Sequence, residues 1–202
     1  MKKLFLFIAS LLLLSCANLM GNVSDGYYTS VNKVFKIKTP AIPKLSVQDG
    51  VLNERIFVDF YQSRGFWKKY GLYSIEWYKP ETEIDSDKAF YHFTKNTTSA
   101  FVTNNFGSRG VFNLVNSRNI KVNDQTAYQF VADGILDNVN AVWVGTFIKF
   151  DNYIALISII ILSEDRNTEI IGNGLHGATV QANIPWDKYN TYLHSFTKIK
   201  SQ

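Results

Sequence analysis

At 202 residues, with 46% apolar and 15% aromatic side chains, the chain is too hydrophobic for disorder and long enough for one substantial core. Its formal charge is +4 at pH 7, and with one cysteine it relies on burial, not an intramolecular disulfide, for stability. Lys2 and Lys3 account for half of that charge, so the basic balance of the body is slight and a nucleic-acid partner is not expected.

Met1-Lys2-Lys3 opens the chain with positive charge, and residues 4–14 are almost wholly apolar. That order is an export signal, and the run is too short for a comfortable membrane-spanning helix. It ends at Leu13-Leu14-Ser15-Cys16, which resembles the bacterial lipobox: an aliphatic residue, a tolerant position, a small residue, then cysteine. The resemblance implies that the thiol receives a diacylglyceryl group, that the leader is cut before the cysteine, and that the new amine takes a further acyl chain such as palmitate. Each buried methylene contributes about 0.8 kcal/mol, and two or more chains hold stably where one holds marginally. Residues 1–15 are then a signal peptide, Cys16 the lipidation site and 16–26 a small, polar tether that includes Gly21 and Ser24. Loss of those 15 residues leaves 187 and lowers the charge from +4 to +2. Ala17 stands where enterobacterial lipoproteins commonly carry an inner-membrane retention aspartate. The expected location is therefore the bacterial envelope, at the outer membrane and facing the periplasm.

A single domain is expected over 27–202, since no repeat or linker divides it. Val34-Phe35-Lys36-Ile37-Lys38 alternates and stops at Thr39-Pro40, as a short strand should. Residues 51–61 and 72–78 read as two further strands joined by a loop over 62–71. A helix follows, with Asp85 as its expected N-cap and Asp87 complementing the dipole. Phe90, Phe93, Thr97, Ala100 and Phe101 form its expected buried face, His92 and Ser99 point the other way, and Gly107 and Gly110 end it. Strands over 111–122 and 126–132 flank the turn pair Asn123-Asp124, and strands over 139–150 and 153–162 flank Asp151-Asn152. These last two strands are apolar on both faces, so both faces must be covered. Asn183 and Pro185 open a final helix carrying Trp186, Tyr189, Leu193 and Phe196. The expected class is α+β: an antiparallel sheet of six to seven strands between helical layers.

The order of three strands, a helix, four strands and a helix is similar to that of the PsbP/Mog1-like superfamily of α/β/α sandwiches. Gly26-Tyr27-Tyr28 leading to Phe35-Lys36-Ile37-Lys38-Thr39-Pro40, the Val122-Asn123-Asp124-Gln125-Thr126-Ala127-Tyr128 turn, and the closing Ser195-Phe196 carry the resemblance, over roughly 27–200. The superfamily spans photosystem subunits, nuclear-transport accessory proteins and bacterial lipoproteins. It implies a non-catalytic adaptor or assembly role and has no shared catalytic residue.

Several local patterns invite chemistry and fail its requirements. Gly172-Asn173-Gly174-Leu175-His176-Gly177 spells G-x-G-x-x-G but lacks the strand before it and the helix after it that dinucleotide binding needs. A loop serving as ligand lid, with Gly172, Gly174, His176 and Gly177, is the better functional reading. Ser30-Val31-Asn32-Lys33 fits S-x-x-K but precedes a strand, whereas serine–lysine enzymes set that pair on a helix. Glu81, Glu83, Asp85 and Asp87 lack the glycine and terminal glutamate of a calcium loop, and His92, His176 and His194 have no second ligand at metal spacing. No metal, cofactor or catalytic activity is expected. Arg64, Phe66, Trp67, Lys68 and Lys69 place aromatics beside cations at a hairpin tip, which suits a membrane headgroup zone or a protein contact. The expected function is a lipid-anchored, protein-binding or assembly module with an envelope protein as partner. The alternative is a small-molecule or lipid binder with a pocket between helix and sheet, and an envelope hydrolase ranks last.

Overall fold

The computed structural model describes residues 21–42, 44–52, 55–64, 68–81, 83–162 and 184–199. Six strands come first: β1 (Asn22–Ser24), β2 (Tyr27–Thr29), β3 (Phe35–Lys38), β4 (Leu45–Leu52), β5 (Arg55–Arg64) and β6 (Lys68–Tyr78). Helix α1 (Asp87–Asn104) and a 3-10 turn (Gly107–Arg109) lead to β7 (Gly110–Val122), β8 (Gln125–Leu136), β9 (Val139–Phe150) and β10 (Tyr153–Leu162). Helix α2 (Trp186–His194) and the short β11 (Thr197–Lys198) follow.

Strands β7 to β10 form a meander whose turns are two residues long. At Asn123-Asp124 φ is 47° and 65°, and at Asp137-Asn138 it is 51° and 64°. Both central residues of a type I′ turn need positive φ, and Asn and Asp tolerate it because their short polar side chains bond locally. The second of these turns escaped the sequence reading, which ended the strand at 132 when it runs on to Leu136. Antiparallel pairing of β10 with β6 joins the meander to the earlier strands, giving a seven-stranded sheet in the order β4-β5-β6-β10-β9-β8-β7. A second sheet has the order β1-β2-β3-β11.

The double-sided apolar pattern of β9 and β10 has the consequence expected of it. Val144, Ile148, Ala155, Ile157 and Ile159 face a core with Tyr28, Phe35 and Ile37 of the small sheet and Tyr189, Leu193 and Phe196 of the C-terminal segment. Trp143, Phe147, Leu156 and Ile160 face a second core under α1, with Phe90, Val102, Phe112 and Phe130. Aromatic rings dominate both: Phe35–Phe196 centroids lie 5.3 Å apart on one side, and Phe130–Trp143 5.0 Å apart on the other. Gly145 is required by this packing, because a Cβ there would lie 2.3 Å from the Phe130 ring. The fold is thus an α+β sandwich, with a seven-stranded antiparallel sheet between α1 on one face and α2 plus the small sheet on the other.

Local expectations are corrected at five places. Residues 51–61 are not one strand: β4 ends at Leu52 and pairs antiparallel with β5 from Arg55. The loop expected over 62–71 is shorter, since strand pairing reaches Arg64 and Lys68. The tether expected over 16–26 is built into the fold from Gly21 onward. There β1 pairs with β2, and Asp49 Oδ2 accepts from the Gly21 amide and the Tyr28 hydroxyl, each at 2.6 Å. Ser86, not Asp85, caps α1, its hydroxyl accepting from the Ala89 amide at 3.2 Å. The buried stripe of α1 is Phe90, Thr94, Thr98 and Val102, with Thr97 and Ala100 exposed. The two threonines are tolerated there because Thr94 Oγ1 donates to the Phe90 carbonyl and Thr98 Oγ1 to the Thr94 carbonyl.

Candidate functional site

Most residues singled out from sequence lie outside the described residues: Cys16, Phe66, Trp67, Gly172, Gly174, His176 and Gly177. Arg64, Lys68 and Lys69 are placed by their backbone at the end of the β5–β6 hairpin, with Arg64 opposite Lys68 and Ser63 opposite Lys69. Ser30 is buried, and its Oγ accepts from the Val34 and Phe35 amides at 3.0 and 3.2 Å. It shapes the turn into β3, its Oγ engaged by two backbone amides. Of the acidic run, Asp87 ties α1 to the β7–β8 hairpin: it accepts from Thr126 Oγ1 at 2.5 Å and lies 3.5 Å from Lys121 Nζ. The Thr126 hydrogen bond, then Lys121, holds its carboxyl below the usual range. Among the described residues no three His, Cys, Asp or Glu side chains gather to hold a metal ion.

The described surface has a polar cleft where β7 and β8 meet α2. It encloses about 260 Å³ and is lined by Asn116, Arg118, Gln129, Trp186 and Asn190 among others. Its position follows from local sequence. The Asn123-Asp124 turn sets the register that pairs Arg118 with Gln129, and a bulge between Leu114 and Asn116 turns the outer strand. Arg118 Nε and Nη2 both donate to Gln129 Oε1, at 3.0 and 2.8 Å, and the guanidinium sits 5.9 Å from the Trp186 ring.

Behind this pair runs a chain of buried groups with one direction. Tyr189 Oη donates to the Ile157 carbonyl at 3.0 Å, so its single proton is spent there. Thr146 Oγ1, 2.7 Å away, must then donate to Tyr189 Oη, leaving its lone pair for Gln129 Nε2 at 3.4 Å. The carboxamide nitrogen is thereby fixed inward and its oxygen outward, toward Arg118. Gln129, Thr146 and Tyr189 are 3%, 0% and 0% exposed, so this chain is rigid support rather than a wet surface network. Sequence reading missed Arg118 and Gln129, although equal distances from the Asn123-Asp124 turn paired them in advance.

A second concavity, about 590 Å³, is an open trough beside the first turns of α1, lined by Ile84, Ala89, Phe93, Lys88, His92 and Asn96 among others. It is not the helix–sheet pocket of the alternative reading. That interface is filled, with Phe101 ring centroids 5.5 Å from both Trp143 and Phe147.

The geometry defines an α+β sandwich, a fold that solved structures share. Cyanobacterial PsbP (CyanoP) from Synechocystis matches at TM-score 0.50 and 16% identity, covering 89% of this chain and 96% of its own. The Saccharomyces cerevisiae Ran-binding protein Mog1p matches at TM-score 0.48 and 8% identity, with 89% and 95% covered. LpqN, involved in cell envelope biogenesis of Mycobacterium tuberculosis, matches at TM-score 0.37 and 6% identity, with 82% and 91% covered. No protein-family model and no curated protein sequence matches the chain.

Proposed function

We propose that this chain is a lipid-anchored protein of the bacterial envelope whose sandwich domain binds another protein without catalysing a reaction. The observation that carries it is the leader ending in Leu13-Leu14-Ser15-Cys16 a few residues before a folded body. From Cys16 to Gly21 is five residues, at most about 18 Å of extended chain, and Gly21 is fastened to Asp49. A bilayer-held cysteine therefore keeps the small sheet close to the headgroups. The outward side of that sheet carries exposed Lys36 and Lys38, with Tyr27 39% exposed and lying 5.8 Å from Lys36 Nζ. Basic and aromatic side chains suit that zone. The cleft at Arg118, on the same face as the small sheet but at the β7 edge of the large one, is left for a partner. Cross-linking in intact cells, followed by affinity purification of the full chain, tests the partner. Recovery of one protein at reproducible stoichiometry is expected, and repeated recovery of none contradicts the proposal.

The trough beside α1 favours a second reading, a module for a small apolar ligand or lipid chain. Saturable binding of a fluorescent fatty acid that is lost in Phe93→Glu supports this reading. Absence of saturable binding removes it.

A further inference from the structure

The cleft between β7, β8 and α2 has a ligand chemistry that can be read from its donors. Arg118 uses its Nε–Nη2 side for Gln129 and stands beside the Trp186 ring. Its Nη1 group and the second Nη2 proton have no partner among the described residues. The remaining edge of a guanidinium is a planar pair of parallel donors, which matches the two oxygens of a carboxylate. Thr146 Oγ1, 3.4 Å from Gln129 Nε2, together with the two bonds from Arg118, favours the carboxamide orientation that turns its oxygen to the arginine. The fork is therefore held in one orientation before any ligand arrives, which lowers the entropic cost of binding. Asn116 and Asn190 line the same cleft, offering amide donors and acceptors of the kind that pair with a peptide backbone. One cation with amide neighbours fits a monoanion better than a phosphate dianion, whose sites commonly gather several positive groups. Arg and Trp are also the residue types that dominate binding energy at protein interfaces.

From this geometry we propose that Arg118, presented by Gln129 and flanked by Trp186, is a recognition site for a carboxylate on an acidic polypeptide segment. The proposal rests on the protein-binding reading and names the chemistry of the partner at one place on the surface. A free small dicarboxylate shares that chemistry, and the test separates the two sources.

The experiment is a titration of the ¹⁵N-labelled full chain, in mild detergent, followed through the Arg118 Nε–H and Trp186 indole N–H resonances. The probes are a capped tri-glutamate peptide, succinate, and a capped tri-lysine peptide. Saturable shifts with tri-glutamate are expected, with none from tri-lysine. Arg118→Gln should weaken binding at least about tenfold, the value of one charge-assisted pair. Arg118→Lys should fall between, keeping the charge and losing the fork. Arg118→Gln takes both donors from Gln129 Oε1, so a modest loss in unfolding midpoint is expected, and binding is compared at a temperature where every variant is folded. Tri-glutamate shifts that persist in Arg118→Gln overturn the assignment, as does the absence of saturable shifts. Binding of succinate without tri-glutamate overturns the polypeptide source. The titration needs no captured partner, so its failure is distinct from a failure of the cross-linking experiment.

Discussion

Tyr189 and Tyr192 sit three residues apart on α2, both buried, and their hydroxyls meet opposite circumstances. Tyr189 Oη is part of the chain from Gln129 to the Ile157 carbonyl, whereas Tyr192 Oη has no hydrogen-bond partner among the described residues and lies among Phe60 and Tyr73 rings. Burial pushes both phenols well above their ordinary pKa, so neither ionises in the working range. A buried hydroxyl without a partner costs its desolvation, and a bonded one contributes about 1 kcal/mol net. Tyr189→Phe should therefore destabilise by about 1–2 kcal/mol, while Tyr192→Phe should be neutral or stabilising; urea unfolding of the two variants checks it. Glu76 gives a pH dependence. Burial raises its carboxyl pKa, and Arg55, 3.4 Å away, offsets only part of this. A carboxyl with a raised folded pKa favours the folded state below its unfolded pKa, and that contribution is lost as pH rises through the folded value. Glu76→Gln mimics the neutral acid at every pH. Its stability relative to wild type should thus increase from pH 4 to pH 7, read as the difference in unfolding midpoints.

At the scale of elements, legibility followed the source of each signal. The meander was readable because Asn-Asp and Asp-Asn pairs punctuate long apolar runs, and because β9 and β10 alternate without interruption. The β4–β5 hairpin was not, since β4 carries Ser46, Gln48, Asp49 and Gly50, a polar run that strand propensity disfavours. Pairing with β5 along eight residues overrides that preference. Helix α1 was found from its aromatic residues, yet its buried stripe runs through Thr94 and Thr98, which a search for apolar positions passes over. Its cap was misplaced by one residue because Asp85 and Ser86 are both good caps and geometry alone selects the hydroxyl. Ser86→Ala should cost about 1 kcal/mol, whereas Asp85→Ala should change stability by no more than a few tenths. Thermal unfolding of both variants distinguishes the assignments.

For the whole molecule, sequence reached the layers because a strand that is apolar on two faces demands two covers. It did not reach the composition of one cover, a four-stranded sheet beside α2, since β1 and β11 span only three and two residues. Nor did it reach the Arg118 cleft, which depends on a strand pairing and a helix 57 positions beyond Gln129 in sequence. What joins the fold to the proposed function is the fastening of Gly21 and Tyr28 onto Asp49, since a lipidated Cys16 would stand only five positions before the folded sheet. The central claim is that this body is held at a membrane by fatty chains on Cys16. Intact mass spectrometry of the protein from its native membrane fraction tests it most directly. The account predicts a chain that begins at Cys16 and carries the mass of a diacylglyceryl group and an amide-linked acyl chain. A chain that retains Met1, or one that begins elsewhere and carries no acyl mass, contradicts it.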